Sequence, residues 1–486
     1  MTDILLATSY FLKFDPKQVQ KMKPYAPLAT LWMASLLREK GYTVAVFDAM
    51  LSDGEHKFEA ILRERQPRAV VLFEDNFNFL SKMCLTRMRD AACTMIGMAR
   101  AQDAFVIAAG SDVTDHPGLY LERGAHVAAL GEGDHAVVDL LDLWRRDALS
   151  GMPAVSGLAY LVDGALTHSP KRVPERKPDV FPLPAWELLD AEGYRAAWTG
   201  ARGYFSLNMA TTRGCPFHCN WCAKPIWGQR YAMRTPANVA EELALLKRSI
   251  KPDHIWFADD IFGLRPQWVA DFAREVATRD AAIPFMIQSR ADLMTEQAVK
   301  ALKLAGCDEV WIGAESGSQK ILDAMDKGTS IEQIKTARHR LREAGIKACF
   351  FIQFGYPGET WDDIRLTFEL IRECVPDNIG VSVSYPLPGT RFHDMVKAQL
   401  GDKTNWTDSD ELAMMFRGTY QTPFYKKLHR VLHLHLDQLH GKAAPEFEAE
   451  YTELRRLERE CRNEDPTVIV KDYAEPATPD LSKMWN

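Results

Sequence analysis

The chain has no basic N-terminal region, no long apolar run and no surplus of positive charge, and each absence removes a class of function. The opening residues MTDILLATSYF carry Asp3 where a signal peptide would carry lysine or arginine. No apolar run approaches the ~20 residues of a membrane helix, so a cytoplasmic protein is expected, with at most peripheral membrane contact. Lys and Arg number 59 against 66 Asp and Glu, a formal charge of -7. Nothing in that balance argues for a polyanionic partner, and nucleic acid is not expected. Internal repeats and low-complexity tracts are also missing. Nine cysteines in a reducing compartment are not a disulfide framework. Six of them, Cys84, Cys93, Cys307, Cys349, Cys374 and Cys461, are scattered through apolar or helical sequence and read as small buried hydrophobes. The remaining three crowd into eight residues.

What is present is an ordinary globular composition, 47% hydrophobic and 26% charged, arranged as an α/β pattern. Residues 1–147 alternate short apolar strands (Ile4–Ser9, Thr43–Phe47, Ala69–Phe73, Ala104–Ala109, His126–Leu130) with amphipathic helices. That order predicts a Rossmann-like, flavodoxin-like parallel sheet. Its strand-end turns, at Asp48, Glu74-Asp75-Asn76, Gly110-Ser111 and Gly131-Glu132-Gly133, would line one ligand-binding crevice. Residues 148–198, with the run KRVPERKPDVFPLPAW, read as a linker. Residues 199–400 carry six further strand–helix units, too few for a complete barrel, and a partial (β/α)6 barrel is expected. Residues 401–486 read as a helical C-terminal region ending in an extended tail from about Glu464.

The chemistry-bearing segment is TTRGCPFHCNWCAKPIWGQRYAMRTP, which begins at Thr211. Cys215, Cys219 and Cys222 fall at i, i+4 and i+7 directly after a strand. Thiolates are the natural soft ligands of an iron–sulfur cubane, and three of them leave one iron open. Gly214 and Pro216 permit the tight turns needed to wrap a cluster. Structural zinc is the alternative, but it needs a fourth ligand, and His218 between two cysteines is awkwardly placed to serve.

At these residues the sequence resembles the radical S-adenosylmethionine (AdoMet) superfamily, whose loop reads C-x-x-x-C-x-aromatic-C; Cys215, Cys219, Trp221 and Cys222 match every element. The resemblance implies a [4Fe–4S] cluster on the three cysteines, AdoMet chelated at the open iron, and reductive release of a 5′-deoxyadenosyl radical. An electron donor such as flavodoxin or ferredoxin is implied with it. Later strand ends agree in order. The resemblance assigns AdoMet contacts to Trp221, Asp259, Asp260, Arg290, Glu315, Gln353 and Gly355. Asp259, Asp260, Arg290, Glu315 and Gly355 lie in the segments FADDIF, SR, WIGAESG and FGYPGET; Gln353 directly precedes the last of them, and Trp221 is in the cysteine loop.

Residues 1–147 resemble the cobalamin-binding domain that precedes many radical AdoMet barrels, carried by PYAPLATLWMASLLREKGYTVAVFDAM and ALGEGDHAVVDLL. The resemblance implies corrin contacts from Asp48, Glu74, Asn76, Gly110, Ser111, Gly131, Glu132 and Gly133. One departure stands out. Many such domains carry D-x-H-x-x-G after the first strand, whereas here the loop Thr8–Phe14 has no histidine. Cobalamin is therefore expected without a protein imidazole below cobalt. The overall arrangement is similar to that of radical AdoMet methylases, of the anaerobic magnesium-protoporphyrin ester cyclase and of hopanoid ring-contracting enzymes.

The expected activity is methylation of an unactivated carbon of a small-molecule or lipid-like substrate, with oxidative cyclisation, ring contraction or rearrangement as the rival. Methylthiolation would need a further cysteine triad in the N-terminal domain, which offers only Cys84 and Cys93. A non-enzymatic iron–sulfur or cobalamin sensor is the reading of another class. No catalytic side chain is named by the sequence. In the segment 427–440, His429, His433 and His440 share a helical face with a leucine stripe. An amphipathic helix with a solvated histidine edge is expected there rather than a metal site.

Overall fold

A computed structural model describes residues 2–83, 85–224, 226–401, 405–407, 409 and 411–467. Cys84 and all of the expected extended tail beyond residue 467 lie outside the described residues. Two compact units divide the chain. The first comprises Met1–Gly214, Pro225–Asp260 and Asn405–Glu411; the second comprises Cys215–Lys224, Ile261–Thr404 and Leu412–Asn486.

In the first unit the strands are β1 (Ile4–Ala7), β2 (Val44–Phe47), β3 (Ala69–Phe73), β4 (Phe105–Ala109), β5 (Val127–Ala129), β6 (Leu158–Val162) and β7 (Ala165–His168). They form one sheet in the order β2-β1-β3-β4-β5-β6-β7. The first five pair in parallel, with Ile4 opposite both Val44 and Ala69. Residues of β1, β3 and β4 are buried without alternation, as strands covered on both faces must be. β6 and β7, in the stretch expected to be a linker, extend the sheet antiparallel. Because β1 to β5 run one way, the turns after Ala7, Phe73, Ala109 and Ala129 lie along one edge.

The same unit holds the parallel pair β8 (Ser206–Met209) and β11 (His254–Phe257), and between them in sequence the antiparallel pair β9 (Thr212–Arg213) and β10 (Ala232–Met233). Asn208 on β8 satisfies the backbone of Ala26 in both directions, accepting from its N–H at 2.7 Å and donating to its carbonyl at 2.9 Å.

The second unit carries β12 (Phe285–Ser289), β13 (Cys307–Glu315), β14 (Lys347–Phe354) and β15 (Asn378–Val383), paired in parallel in that order. Helices alternate with them, started by side-chain caps such as Thr295 and by the Ser330–Gln333 capping box. All six strands expected in residues 199–400 are present, β8 and β11 in the first unit and β12 to β15 in the second. β13 is longer than its apolar run suggests and loses register between Gly313 and Glu315.

Beyond it, helices Thr422–Leu439 and Phe447–Glu460 pack on each other. Leu428, Leu432 and Leu436 are buried. His433 Nδ1 lies 2.8 Å from the His429 carbonyl and His440 Nε2 lies 3.0 Å from the Pro376 carbonyl. Among the described residues no helix is long and apolar enough to cross a membrane.

Candidate active site

Cys215, Cys219 and Cys222 lie on a segment without regular helix or strand, and each is partly exposed. Gly214 enters it at φ 83°, and a Cβ there would fall 2.3 Å from the Arg230 carbonyl oxygen, so no other residue fits that turn. The loop is tied down by Asn220, one of the residues the motif leaves unspecified. Its N–H donates to Met325 O at 3.0 Å, its side-chain amide donates to Ala324 O at 2.8 Å, and its carbonyl accepts from Phe392 N at 3.0 Å. The Tyr356 hydroxyl lies 3.0 Å from Asn220 Oδ1. Trp221 packs on the cluster of Ile321, Met325, Tyr356, Phe392, Val396 and Phe416, and its buried indole N–H has no hydrogen-bond partner. Among the described residues no three His, Cys, Asp or Glu side chains are gathered at metal-binding separation. The donor set nevertheless fits an iron–sulfur cluster: three soft thiols within eight residues, beside the Lys327 ammonium, which interacts electrostatically with Cys219.

The strand-end residues divide between the two units. In the first, Asp259 is buried, and its carboxylate takes four hydrogen bonds. The amides of Thr211 and Thr212 donate at 2.7 and 2.6 Å, and their hydroxyls at 2.9 and 2.8 Å. Burial lifts its carboxyl to about 6 against those four donors. Expected to bind AdoMet, Asp259 in this structure holds the backbone of Thr211 and Thr212, just ahead of Cys215. Asp260 pairs with Lys82 at 2.6 Å.

In the second unit Arg290 is fully engaged. Nε and Nη2 bind Asp292 at 2.9 and 3.2 Å, Nη1 binds the Lys327 carbonyl at 2.7 Å and Nη2 the Gly328 carbonyl at 3.1 Å. Its guanidinium lies 3.8 Å from the centre of the Phe217 ring. Glu315 pairs with Lys327 at 2.6 Å. Gln353 is buried and donates to Ser384 Oγ at 2.9 Å. Gly355 donates its N–H to Glu359 Oε2 at 2.6 Å. Glu359 is itself fully buried, with Oε1 unpartnered and its carboxyl pushed up to about 8 by burial. Lys327, Asn220 and Glu359 were not singled out from the sequence. Their roles depend on partners at least 12 residues away or on a loop turn, and no local periodicity reports either.

At the edge of the seven-stranded sheet the expected corrin-contact residues behave differently from one another. Asp48 is committed, accepting from the Tyr194 hydroxyl at 2.6 Å and from Met50 N at 2.9 Å. Glu132 pairs with buried Arg213 and accepts from Trp227 Nε1 at 3.3 Å and Glu175 N at 2.9 Å. Ser111 Oγ donates to the Lys82 carbonyl at 3.3 Å, and Gly131 N donates to Thr114 Oγ1 at 3.0 Å. Gly133 lies against the Phe73 ring. Residues 74–76 stand apart. Glu74 Oε1, Asp75 Oδ2 and Asn76 Oδ1 are all buried and all without a hydrogen-bond partner. Burial raises Glu74 to about 7 and Asp75 to about 6. Three consecutive unsatisfied acceptors at a strand end are costly unless a ligand supplies donors. The peripheral amides of a corrin are such donors, so this edge fits cobalamin.

Residues 209–371 match the family model described as the Radical SAM superfamily. The chain is 28% identical over 373 residues to a protein named an uncharacterized methyltransferase from Pyrococcus horikoshii, covering 75% of this chain and 77% of the relative. It is 25% identical over 402 residues to the anaerobic magnesium-protoporphyrin IX monomethyl ester cyclase of Rubrivivax gelatinosus, covering 80% of this chain and 68% of that one. Its fold resembles that of the radical AdoMet methyltransferase TsrM from Kitasatospora setae, solved with cobalamin and a [4Fe–4S] cluster. The TM-score is 0.67 at 20% identity, over 83% of this chain and 79% of that one. The cobalamin-dependent AdoMet radical enzyme OxsB, solved with aqua-cobalamin and AdoMet, gives a TM-score of 0.67 at 18% identity, over 94% and 71%.

Proposed function

We propose that this radical SAM enzyme is cobalamin-dependent and methylates an unactivated carbon of a small-molecule or lipid-like substrate. The observation that carries the reading is the presence on one chain of two cofactor-suited sets: the Cys215/Cys219/Cys222 loop and the unsatisfied row Glu74 Oε1, Asp75 Oδ2 and Asn76 Oδ1. A [4Fe–4S] cluster held by the three cysteines would supply one-electron reduction of AdoMet, and cobalamin would supply methyl transfer. The protein's own work is placement. Asp259 holds the backbone just ahead of the cysteine loop, Asn220 ties down the loop itself, Trp221 offers a flat apolar surface with one open N–H, and the buried Glu315 carboxylate is paired with Lys327. A reduced flavodoxin or ferredoxin would deliver the electron.

The likeness to the Rubrivivax cyclase favours a second reading, oxidative cyclisation or rearrangement without methyl transfer. The two separate by product mass. Enzyme reconstituted with iron, sulfide and cobalamin is given AdoMet bearing a deuterated methyl group and an extract of cells lacking the protein. A product in which CD3 replaces one hydrogen of the substrate supports methylation. A changed but label-free product assigns cyclisation or rearrangement instead.

A further inference from the structure

Both flanks of the cysteine loop end on one carboxylate. The loop is the excursion between β9 and β10, whose short ladder sets Arg213 opposite Ala232. Arg213 precedes Cys215 by two residues, and Trp227 follows Cys222 by five. Glu132, in the turn after β5, takes both. Its Oε1 accepts from the Arg213 guanidinium and from Trp227 Nε1 at 3.3 Å. Its Oε2 accepts from Glu175 N at 2.9 Å, and Asp134 Oδ2, 3.1 Å from Arg213 Nη1, supports the same guanidinium. Arg213, Glu132 and Trp227 are all buried, and the flanks meet closely: a Cβ on Gly214 would lie 3.0 Å from Trp227 Cβ. A buried ion pair is a weak source of stability. A single carboxylate that grips both flanks does something else, because it fixes the spacing between the ends of a loop whose three thiols must converge on one cluster. Trp227 also reaches the corrin edge. Its ring lies 5.2 Å from that of Phe77, centre to centre. Phe77 directly follows the open row Glu74–Asn76, and its N–H donates to Asp75 Oδ1 at 3.1 Å while Asp75 Oδ2 stays open. Asp75, Phe77, Trp227 and Glu132 thus form one run of touching groups within the first unit.

We propose that Glu132 is a positioning residue that closes the base of the iron–sulfur loop, and that a corrin seated on Asp75 tightens this closure through Phe77 and Trp227, so that cobalamin and the cluster stabilise one another. The inference rests on the cobalamin-dependent radical SAM reading above. The physical step is small. A corrin amide donating to Asp75 Oδ2 fixes the carboxylate whose other oxygen holds the Phe77 backbone. The Phe77 ring then limits the tilt of the indole that donates to Glu132. Coupling of this kind is reciprocal, so the factor by which cobalamin favours the cluster is the factor by which the cluster favours cobalamin. Glu132, expected to touch the corrin, on this account serves the cluster instead.

Equilibrium dialysis of hydroxocobalamin against full-length protein, before and after reconstitution with iron and sulfide, tests this. In wild type the cluster should tighten hydroxocobalamin binding about fivefold or more, the lower end of ordinary coupling between sites. In Glu132→Gln that ratio should fall towards one, and the reconstituted variant should lose iron to a chelator about fivefold faster or more, the effect of one weakened charge-assisted hydrogen bond. A wild-type ratio near one, the same ratio in wild type and Glu132→Gln, or a wild-type rate of iron loss in the variant each overturns the proposal, whatever happens to the unfolding midpoint. Should Glu132→Gln fail to fold or to take a cluster, Trp227→Phe decides. That variant keeps an aromatic ring beside Phe77 and removes the donor to Glu132, so its ratio should also fall, and a wild-type ratio overturns the proposal. Wild-type protein that holds its cluster yet retains no hydroxocobalamin overturns the cobalamin reading itself, and this inference with it.

Discussion

Asp259 and Thr212 are joined twice through a single oxygen: Asp259 Oδ1 accepts from the Thr212 amide at 2.6 Å and from the Thr212 hydroxyl at 2.8 Å. With the two bonds from Thr211, the carboxylate fixes the chain just before the cysteine loop. Asp259→Ala strands two buried amides and should cost about 2–4 kcal/mol of stability. The measurement is denaturant unfolding of cluster-free protein without AdoMet. A residue that only binds AdoMet would leave that midpoint unmoved, so an unchanged midpoint would mean that these hydrogen bonds do not hold the loop.

The cysteine loop gives the most direct prediction. Anaerobically reconstituted protein should hold about four irons here, and the Cys215/Cys219/Cys222→Ala variant should lose them together with AdoMet cleavage. Iron analysis and detection of 5′-deoxyadenosine check both. Cleavage retained in the triple variant would remove the cluster from these residues.

Glu359 makes stability depend on pH in an unusual sense. Its folded-state carboxyl is pushed up to about 8 because it is buried with one oxygen unpartnered. Between the unfolded value and about 8 the folded protein keeps a proton the unfolded chain has lost. The contribution is therefore fully present at low pH and declines as pH rises to about 8. Glu359→Gln removes that titration, so from pH 6 to 8 the variant should gain about 2–3 kcal/mol relative to wild type. Paired denaturation curves at the two pH values read the difference. A constant gap would mean that Glu359 is ionised in the fold.

The parallel strands were legible because a strand covered on both faces must be continuously apolar, and Ala69–Phe73 and Phe105–Ala109 are. The cysteine loop was legible because three identical ligands at fixed spacing have few other uses. The partner of each strand-end side chain was not. Asp259 and Arg290 occupy the expected positions but spend their hydrogen bonds inside the protein. Asp48 and Glu132 do likewise, through Tyr194 and Arg213, 146 and 81 residues further along the chain. Sequence gives a residue's place at a strand end, whereas its partner depends on long-range packing. Lys327 shows the same limit, since nothing in MDKGTS marks its lysine as the cation for Glu315.

The most demanding prediction concerns cobalt. The loop after β1 offers Thr8, Ser9 and Tyr10, with no imidazole. His116 follows β4 and His135 follows β5 in the first unit. His116 Nε2 lies 3.9 Å from Asp112, and burial lowers its readiness to protonate. His135 Nε2 lies 3.6 Å from Glu175, with its ring 5.1 Å from that of Phe181. The acceptors that remain open, Glu74 Oε1, Asp75 Oδ2 and Asn76 Oδ1, suit corrin amides rather than the metal. Reconstituted cobalt(II) protein should therefore show a paramagnetic resonance spectrum without nitrogen superhyperfine splitting. Glu74→Ala and Asn76→Ala should each lower cobalamin retention while leaving the iron content unchanged. Nitrogen splitting would assign His116 or His135 to cobalt. Protein that retains no cobalamin at all would make the seven-stranded sheet a substrate or partner module and remove the methyl carrier on which the proposed reaction depends.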